Sequence, residues 1–278
     1  MVTLLIGKAY QYFFWDPPLR SLLWDEKLLS SPIELLTGKD WATYVSDYSV
    51  DSFIRYYACF VSILFILAII SSFLLRNNKR KWIATPLYLS SGILFFHSLL
   101  EMKENYYHIG QFFERTIQFT IPVLFALYSR EKLSEHQLLI IFKIIIAITF
   151  AAHGAYAAGL YPVPGHFVDM VINILGISES SARNILLIAG ILDIVLLVAL
   201  FIPKVTFYAI WYATIWGLMT SFARLWYGID FDFIISSIHQ SIHLTVFRLP
   251  HGLIPLSALM MSYTLLSNKK MRSLKLLP

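Results

Sequence analysis

The chain contains a single cysteine, Cys59, in 278 residues. That excludes an intrachain disulfide, a Cys-x-x-Cys redox pair and any metal site built from several thiolates. Charge is scarce too: Asp, Glu, Lys and Arg make up 14% of the residues, against about 25% in soluble domains. No Walker loop, dinucleotide glycine fingerprint or Gly-x-Ser-x-Gly elbow occurs, and no long polar region is present to house one. What is present is hydrocarbon. Apolar residues form 58% of the chain, which predicts an all-α, polytopic transmembrane bundle. The net charge of +5 does not point to nucleic acid, because the basic residues gather in short loops between apolar runs.

About 20 apolar residues cross a hydrocarbon core. By that measure, spans are predicted near 52–75, 82–101, 110–129, 137–161, 181–202, 205–227 and 250–267. Arg76, Lys79, Arg80 and Lys81 follow the first, Arg130 and Lys132 the third, Lys204 the fifth, and Lys269, Lys270, Arg272 and Lys275 the seventh. With seven spans these groups share one side, which the positive-inside rule makes cytoplasmic. The chain therefore reads N-outside and C-inside, as a multi-pass protein of the cytoplasmic (inner) membrane. Three parts follow: an extracytoplasmic or interfacial segment 1–51, a three-span part 52–130, and a four-span bundle 131–278 with a basic tail. The first segment lacks a basic n-region and a small-residue cleavage site, so it does not read as a signal peptide. Within it, Asp16 and Pro17 are expected to start a short helix over 19–24. Segment 231–247 is expected to be interfacial or re-entrant, since an eighth span would put the basic tail outside.

Ionisable residues recur in the halves of these spans nearest the outer face. Such groups in hydrocarbon pair, face a protein interior or serve function. His97 and Glu101 share a helix face, so the carboxylate could fix the imidazole tautomer. Gln111, Glu114 and Gln118 form a second stripe, with Arg115 beside it. In the fourth span Ala147, Ala151, Ala155 and Gly159 make a small-residue ridge suited to close helix approach, and Thr149, His153 and Tyr156 make a polar one. Asp193 lies near mid-span, with His153 or Arg224 as its expected partner. Asp232, Ser236, His239 and His243 share one face, and two histidines four apart can share a metal or flank a haem. Gln240 stands where a zinc peptidase needs glutamate, which excludes that chemistry. No lysine lies in 253–267, which excludes a retinal Schiff base.

The part from Leu138 to Ser267 resembles the DoxX-like group of four-span membrane proteins. The residues that carry the resemblance are Ala152-His153-Gly154, a short helix at 165–176, and Ala189-Gly190-Ile191-Leu192-Asp193, where that family often has Gly-x-x-Glu. A span ending in Arg224 follows, and then Phe247-Arg248-Leu249-Pro250. Members resemble small membrane subunits of oxidoreductases, including thiosulfate:quinone oxidoreductase. The resemblance implies a membrane oxidoreductase or oxidoreductase subunit with a quinone- or haem-like ligand, alone or with a membrane or extracytoplasmic redox partner. His153, Asp193, Arg224 and Glu114 would be its catalytic set, and His97, Glu101, His239 and His243 would bind the cofactor. His153 or His239 would meet a quinone oxygen, Asp193 or Glu114 would carry the proton, and Arg224 would stabilise the reduced anion. Carboxylase-type multispan domains were set aside because no lysine base is expected at this level. Two other classes fit the same residues: a proton-coupled transporter, its path extended inward by Lys143, and a non-catalytic assembly subunit.

Overall fold

The computed structural model describes the backbone of residues 1–275 and the side chains of residues 1–265. The basic tail of Lys269, Lys270, Arg272 and Lys275 lies outside the described side chains. The described residues are helical throughout, joined by turns: α1 (Val2–Phe14), α2 (Arg20–Leu23), α3 (Glu26–Thr37), α4 (Trp41–Ser46), α5 (Tyr48–Leu74), α6 (Lys81–Glu104), α7 (Ile109–Phe113), α8 (Thr116–Ser129), α9 (Glu135–Ala157), α10 (Gly165–Leu175), α11 (Glu179–Ala199), α12 (Thr206–Gly228), α13 (Ile234–Val246) and α14 (Pro250–Lys275).

Five stretches are long and apolar enough to cross a membrane: α5, α6, α9, α11, and Ile234–Leu265, where α13 runs on into α14. The chain is a multi-pass membrane protein. Two predicted spans fall outside these five for physical reasons. The run at 110–129 is broken at Glu114 and Arg115, which leaves α8 with 14 residues, short of the ~20 a crossing needs. In α12 the hydropathy is diluted by Tyr, Trp and Thr residues and by Arg224.

Segment 231–247, expected to be interfacial or re-entrant, packs along α12 and α1. Thr245 Oγ1 donates to the Ser221 carbonyl at 2.8 Å, and Ser221 Oγ donates to the Arg248 carbonyl at 3.0 Å. A side chain added at Gly217 would strike the backbone of His251. These contacts place α13 and α14 end to end against one face of α12, with a turn at Phe247, Arg248 and Leu249.

The N-terminal segment also departs from expectation. Leu4, Leu5, Lys8 and Tyr12 recur at helical spacing and are buried against α5 and α13. Gly7 permits the approach to α13–α14, since a Cβ there would lie 2.5 Å from the Phe247 nitrogen. Asp16 does not cap the short helix that follows; its carboxylate takes a hydrogen bond from Arg20 Nε at 2.6 Å. Beyond it, α2 and Leu19 cover the ends of α5 and α6, where Leu19, Leu22 and Leu23 pack with Ile54 and Leu100.

Asp25 anchors this cover. It accepts from Leu28 N at 3.1 Å as the cap of α3 and pairs with Lys103 of α6 at 2.5 Å. Hydrogen bonding from Lys103, then from the Leu28 amide, holds its carboxyl below the usual carboxylate range. A depressed carboxylate stabilises the native state above its unfolded pKa, and that contribution is lost as pH falls through the folded value. The cover is therefore expected to loosen below about pH 4. Hydrogen exchange should rise in α3 before it rises in α5, and Asp25→Asn should produce the same loosening at neutral pH.

Candidate functional site

The ionisable residues of the apolar runs converge because two helices break where they sit. Glu114 and Arg115 occupy the turn between α7 and α8, and Arg248 the turn between α13 and α14. Irregular backbone inside a membrane bundle survives only where protein or a cavity surrounds it. Here each break turns its charged side chains toward the same place.

Glu114, 4% exposed, is the hub. It lies 2.9 Å from Arg115, 3.7 Å from His153 Nδ1 and 3.8 Å from Arg248. Arg115 reaches on to Glu101, which has Lys8 at 4.0 Å on its other side. His153 Nε2 lies 3.4 Å from Arg248 Nη1. Arginine can only donate, so Nε2 accepts and the ring proton sits on Nδ1, facing Glu114. His251 Nδ1 lies 2.9 Å from the Arg248 carbonyl and must donate to it, which leaves Nε2 buried without a partner.

His97 stands beside this network, bonded otherwise than its spacing suggests. Its Nδ1 meets the Tyr12 hydroxyl and its Nε2 the Tyr57 hydroxyl, both at 2.8 Å. Two tyrosines rather than Glu101 set its orientation.

Below the network lies a cavity of about 540 Å³, within the range of small-molecule sites. Phe150, Phe167, Met170, Leu186 and Ala223 supply apolar wall, and Ile185, Met219, Phe222 and Trp226 form an exposed rim. Its polar lining is sparse: His153, Arg224, His251, Thr220 and Asp193. Asp193 meets neither His153 nor Arg224, its expected partners. Its oxygens accept from Tyr212 at 2.7 Å and from Trp216 Nε1 at 3.3 Å, both on α12. From Trp216 to Arg224 is eight residues of helix, roughly 12 Å, so the acid and the guanidinium occupy different levels of the cavity.

The crossing of α9 and α11 forms one wall of this space. A Cβ at Gly154 would lie 2.6 Å from the Gly190 carbonyl oxygen and 2.9 Å from Asp193 Cβ. Close approach thus occurs at Gly154 and Gly190, one face round from the alanine ridge read in α9.

The structure therefore brings His97, Glu101, Glu114 and His153 into one polar level, with Arg224 and Asp193 on the cavity below. It does not bring His239 and His243 there. Those pack against α1, with His239 Nδ1 bonded to the Tyr10 hydroxyl and both rings beside Trp15. The set does not fit a haem: both nitrogens of His97 are engaged, and the two α13 histidines are hemmed in by Tyr10, Phe14 and Trp15. Among the described residues, no three His, Cys, Asp or Glu side chains group as metal ligands.

Comparison with protein-family models, curated proteins and solved structures finds no match.

Sequence reasoning missed Lys8, Tyr12 and Tyr57. Lys8 is the lysine not expected at this level, 3% exposed and bonded to Gln11 at 3.0 Å. Its signal was legible: a stripe of Leu4, Leu5, Lys8 and Tyr12 at helical spacing.

Proposed function

We propose that this protein binds a lipid-soluble ligand in the cavity between α9, α10, α11 and α12. The ligand's polar head lies by His153, Arg224 and His251, and its tail among the apolar walls. One observation carries this reading: an apolar cavity of about 540 Å³ whose outer end holds an arginine and two histidines, while apolar side chains form its exposed rim. A water-soluble metabolite would gain little from such walls, whereas an amphiphile matches both ends.

In this reading the chain crosses the inner membrane seven times, through α5, α6, the joined α7–α8, α9, α11, α12 and the joined α13–α14. Support comes from the two basic loops that meet: Lys79 pairs with Glu131, and Arg130 Nε donates to the Lys79 carbonyl. Both loops then lie on the cytoplasmic side.

The chemistry follows from the head-binding end. His153 has Glu114 behind its Nδ1, so a proton accepted from a ligand at Nε2, in place of the hydrogen bond from Arg248, would create an imidazolium stabilised by a carboxylate. That pairing favours a second, narrower reading, a quinone-like redox ligand, in line with the DoxX-like resemblance. The quinone would supply the electron chemistry; His153, Glu114 and Arg224 would hold its head and exchange its proton.

The test is mass spectrometry of the detergent-purified protein. An amphiphile is expected to co-purify, or to bind when supplied as lipid or decyl-quinone. Ala223→Trp, which fills the cavity, should remove binding while leaving the melting temperature close to the native value. Absence of any bound or acquired amphiphile in the native protein would sink the reading.

A further inference from the structure

The ionisable groups of the polar network, and of the cavity that His153 shares with it, are out of balance. Lys8, Arg115 and Arg248 share only two carboxylates, Glu101 and Glu114. Arg224 adds a fourth cation. Its Nη1 donates to the carbonyl of Thr220 in its own helix at 2.5 Å, and no carboxylate lies within 4.0 Å of it among the described residues. Asp193 shares the cavity, but its oxygens face Tyr212 and Trp216. Arg248 Nε and His251 Nε2 are buried at the same end without partners. Unpaired cations in a low-dielectric site are costly, and among the described residues no third carboxylate comes within 4.0 Å of them.

We propose that the cavity's ligand is an acidic amphiphile, a hydrocarbon chain ending in a phosphate or carboxylate, with Arg224 as its counter-ion. This rests on the cavity being a ligand site, as argued above, and adds the charge of the head. The guanidinium offers paired donors matched to two oxygens of such a group. His251 can accept from a protonated head oxygen through Nε2, or donate to a charged one once protonated. The chain then lies along α11 and α12, toward Asp193, where Phe150, Leu186 and Ala189 leave an apolar path.

The test is equilibrium binding to the full chain in non-ionic detergent, comparing phosphatidate, oleate, diacylglycerol, decyl-quinone and inorganic phosphate. Phosphatidate or oleate should bind at least about tenfold tighter than diacylglycerol. Arg224→Gln should erase that difference by weakening the acidic lipids more than diacylglycerol, and Arg224→Lys should restore part of it. The selectivity of the native protein decides the matter even if Arg224→Gln fails to fold. Equal binding of the acidic and neutral lipids, or tighter binding of the quinone, would overturn the anionic head and leave the amphiphile cavity standing. Binding of inorganic phosphate without either acidic lipid would overturn the amphiphile as ligand. Binding of nothing would remove both readings.

Discussion

Gly154→Leu is expected to abolish the folded protein, seen as loss of the monodisperse peak in detergent and of a cooperative thermal transition. The reason is the α9–α11 crossing. Even a Cβ at Gly154 would stand 2.6 Å from the Gly190 carbonyl and 2.9 Å from Asp193 Cβ. The nearest obstacle is a backbone carbonyl and the next a Cβ, and rotation of a side chain moves neither. Overpacking a close-packed interior costs about 1–3 kcal/mol where neighbours can adjust. Alanine at this position should fall in that range, and leucine well beyond it. The displaced α11 would also draw Asp193 away from Tyr212 and Trp216. Gly92→Ala is the control, since nothing lies within 4 Å of its added carbon. It should leave the transition unchanged or raise it slightly, because alanine favours the helix. A Gly154→Leu protein that melts like the native one would show that α9 and α11 do not cross here.

Glu114→Gln is expected to destabilise by about 3–5 kcal/mol, the usual cost of removing one partner from a buried ionic group. The substitution keeps the shape and deletes only charge. Arg115 and Arg248 would lose their shared carboxylate, and His153 its acidic neighbour. The second half of the prediction is a recovery: Arg248→Met in the Glu114→Gln background should regain part of the loss, because it removes one of the cations left unpaired. Thermal melts of the four proteins close a double-mutant cycle, and the expected coupling lies at the upper end of about 0.5–3 kcal/mol. No loss in Glu114→Gln would mean that the carboxylate does not hold Arg115, His153 and Arg248 together.

The relation of sequence to site is uneven, and particular residues show why. Glu101 and Glu114 were placed at one level by counting residues along spans, and the structure pairs both with Arg115. His97 and Glu101 do share a helix face, yet that face points His97 at Tyr12 and Tyr57, which lie 85 and 40 residues away. Asp193 was visibly a buried acid. Its partners are Tyr212 and Trp216 rather than His153 or Arg224, because α12 sets its tyrosine and tryptophan opposite mid-α11 and carries Arg224 two turns further out. His239 and His243 do share a face, and that face meets α1, a helix in the segment read as extracytoplasmic or interfacial.

The sequence by itself determined the class of protein: few charges, one cysteine and long apolar runs leave a multi-pass helical bundle as the structure in which every backbone group can be satisfied in lipid. It also determined which side chains would have to be sheltered, since an ionisable group in an apolar run must find a partner or a cavity wherever the helices go. Only the tertiary structure decided which partner each one found. Helical periodicity sets the face a residue occupies, but helix breaks at Glu114–Arg115 and at Phe247–Leu249, the glycine crossing of α9 on α11, and the burial of α1 set which faces meet. Those depend on packing between segments far apart in the chain, to which local spacing is blind. That packing is what left Arg224 facing a cavity with no carboxylate within 4.0 Å of it among the described residues.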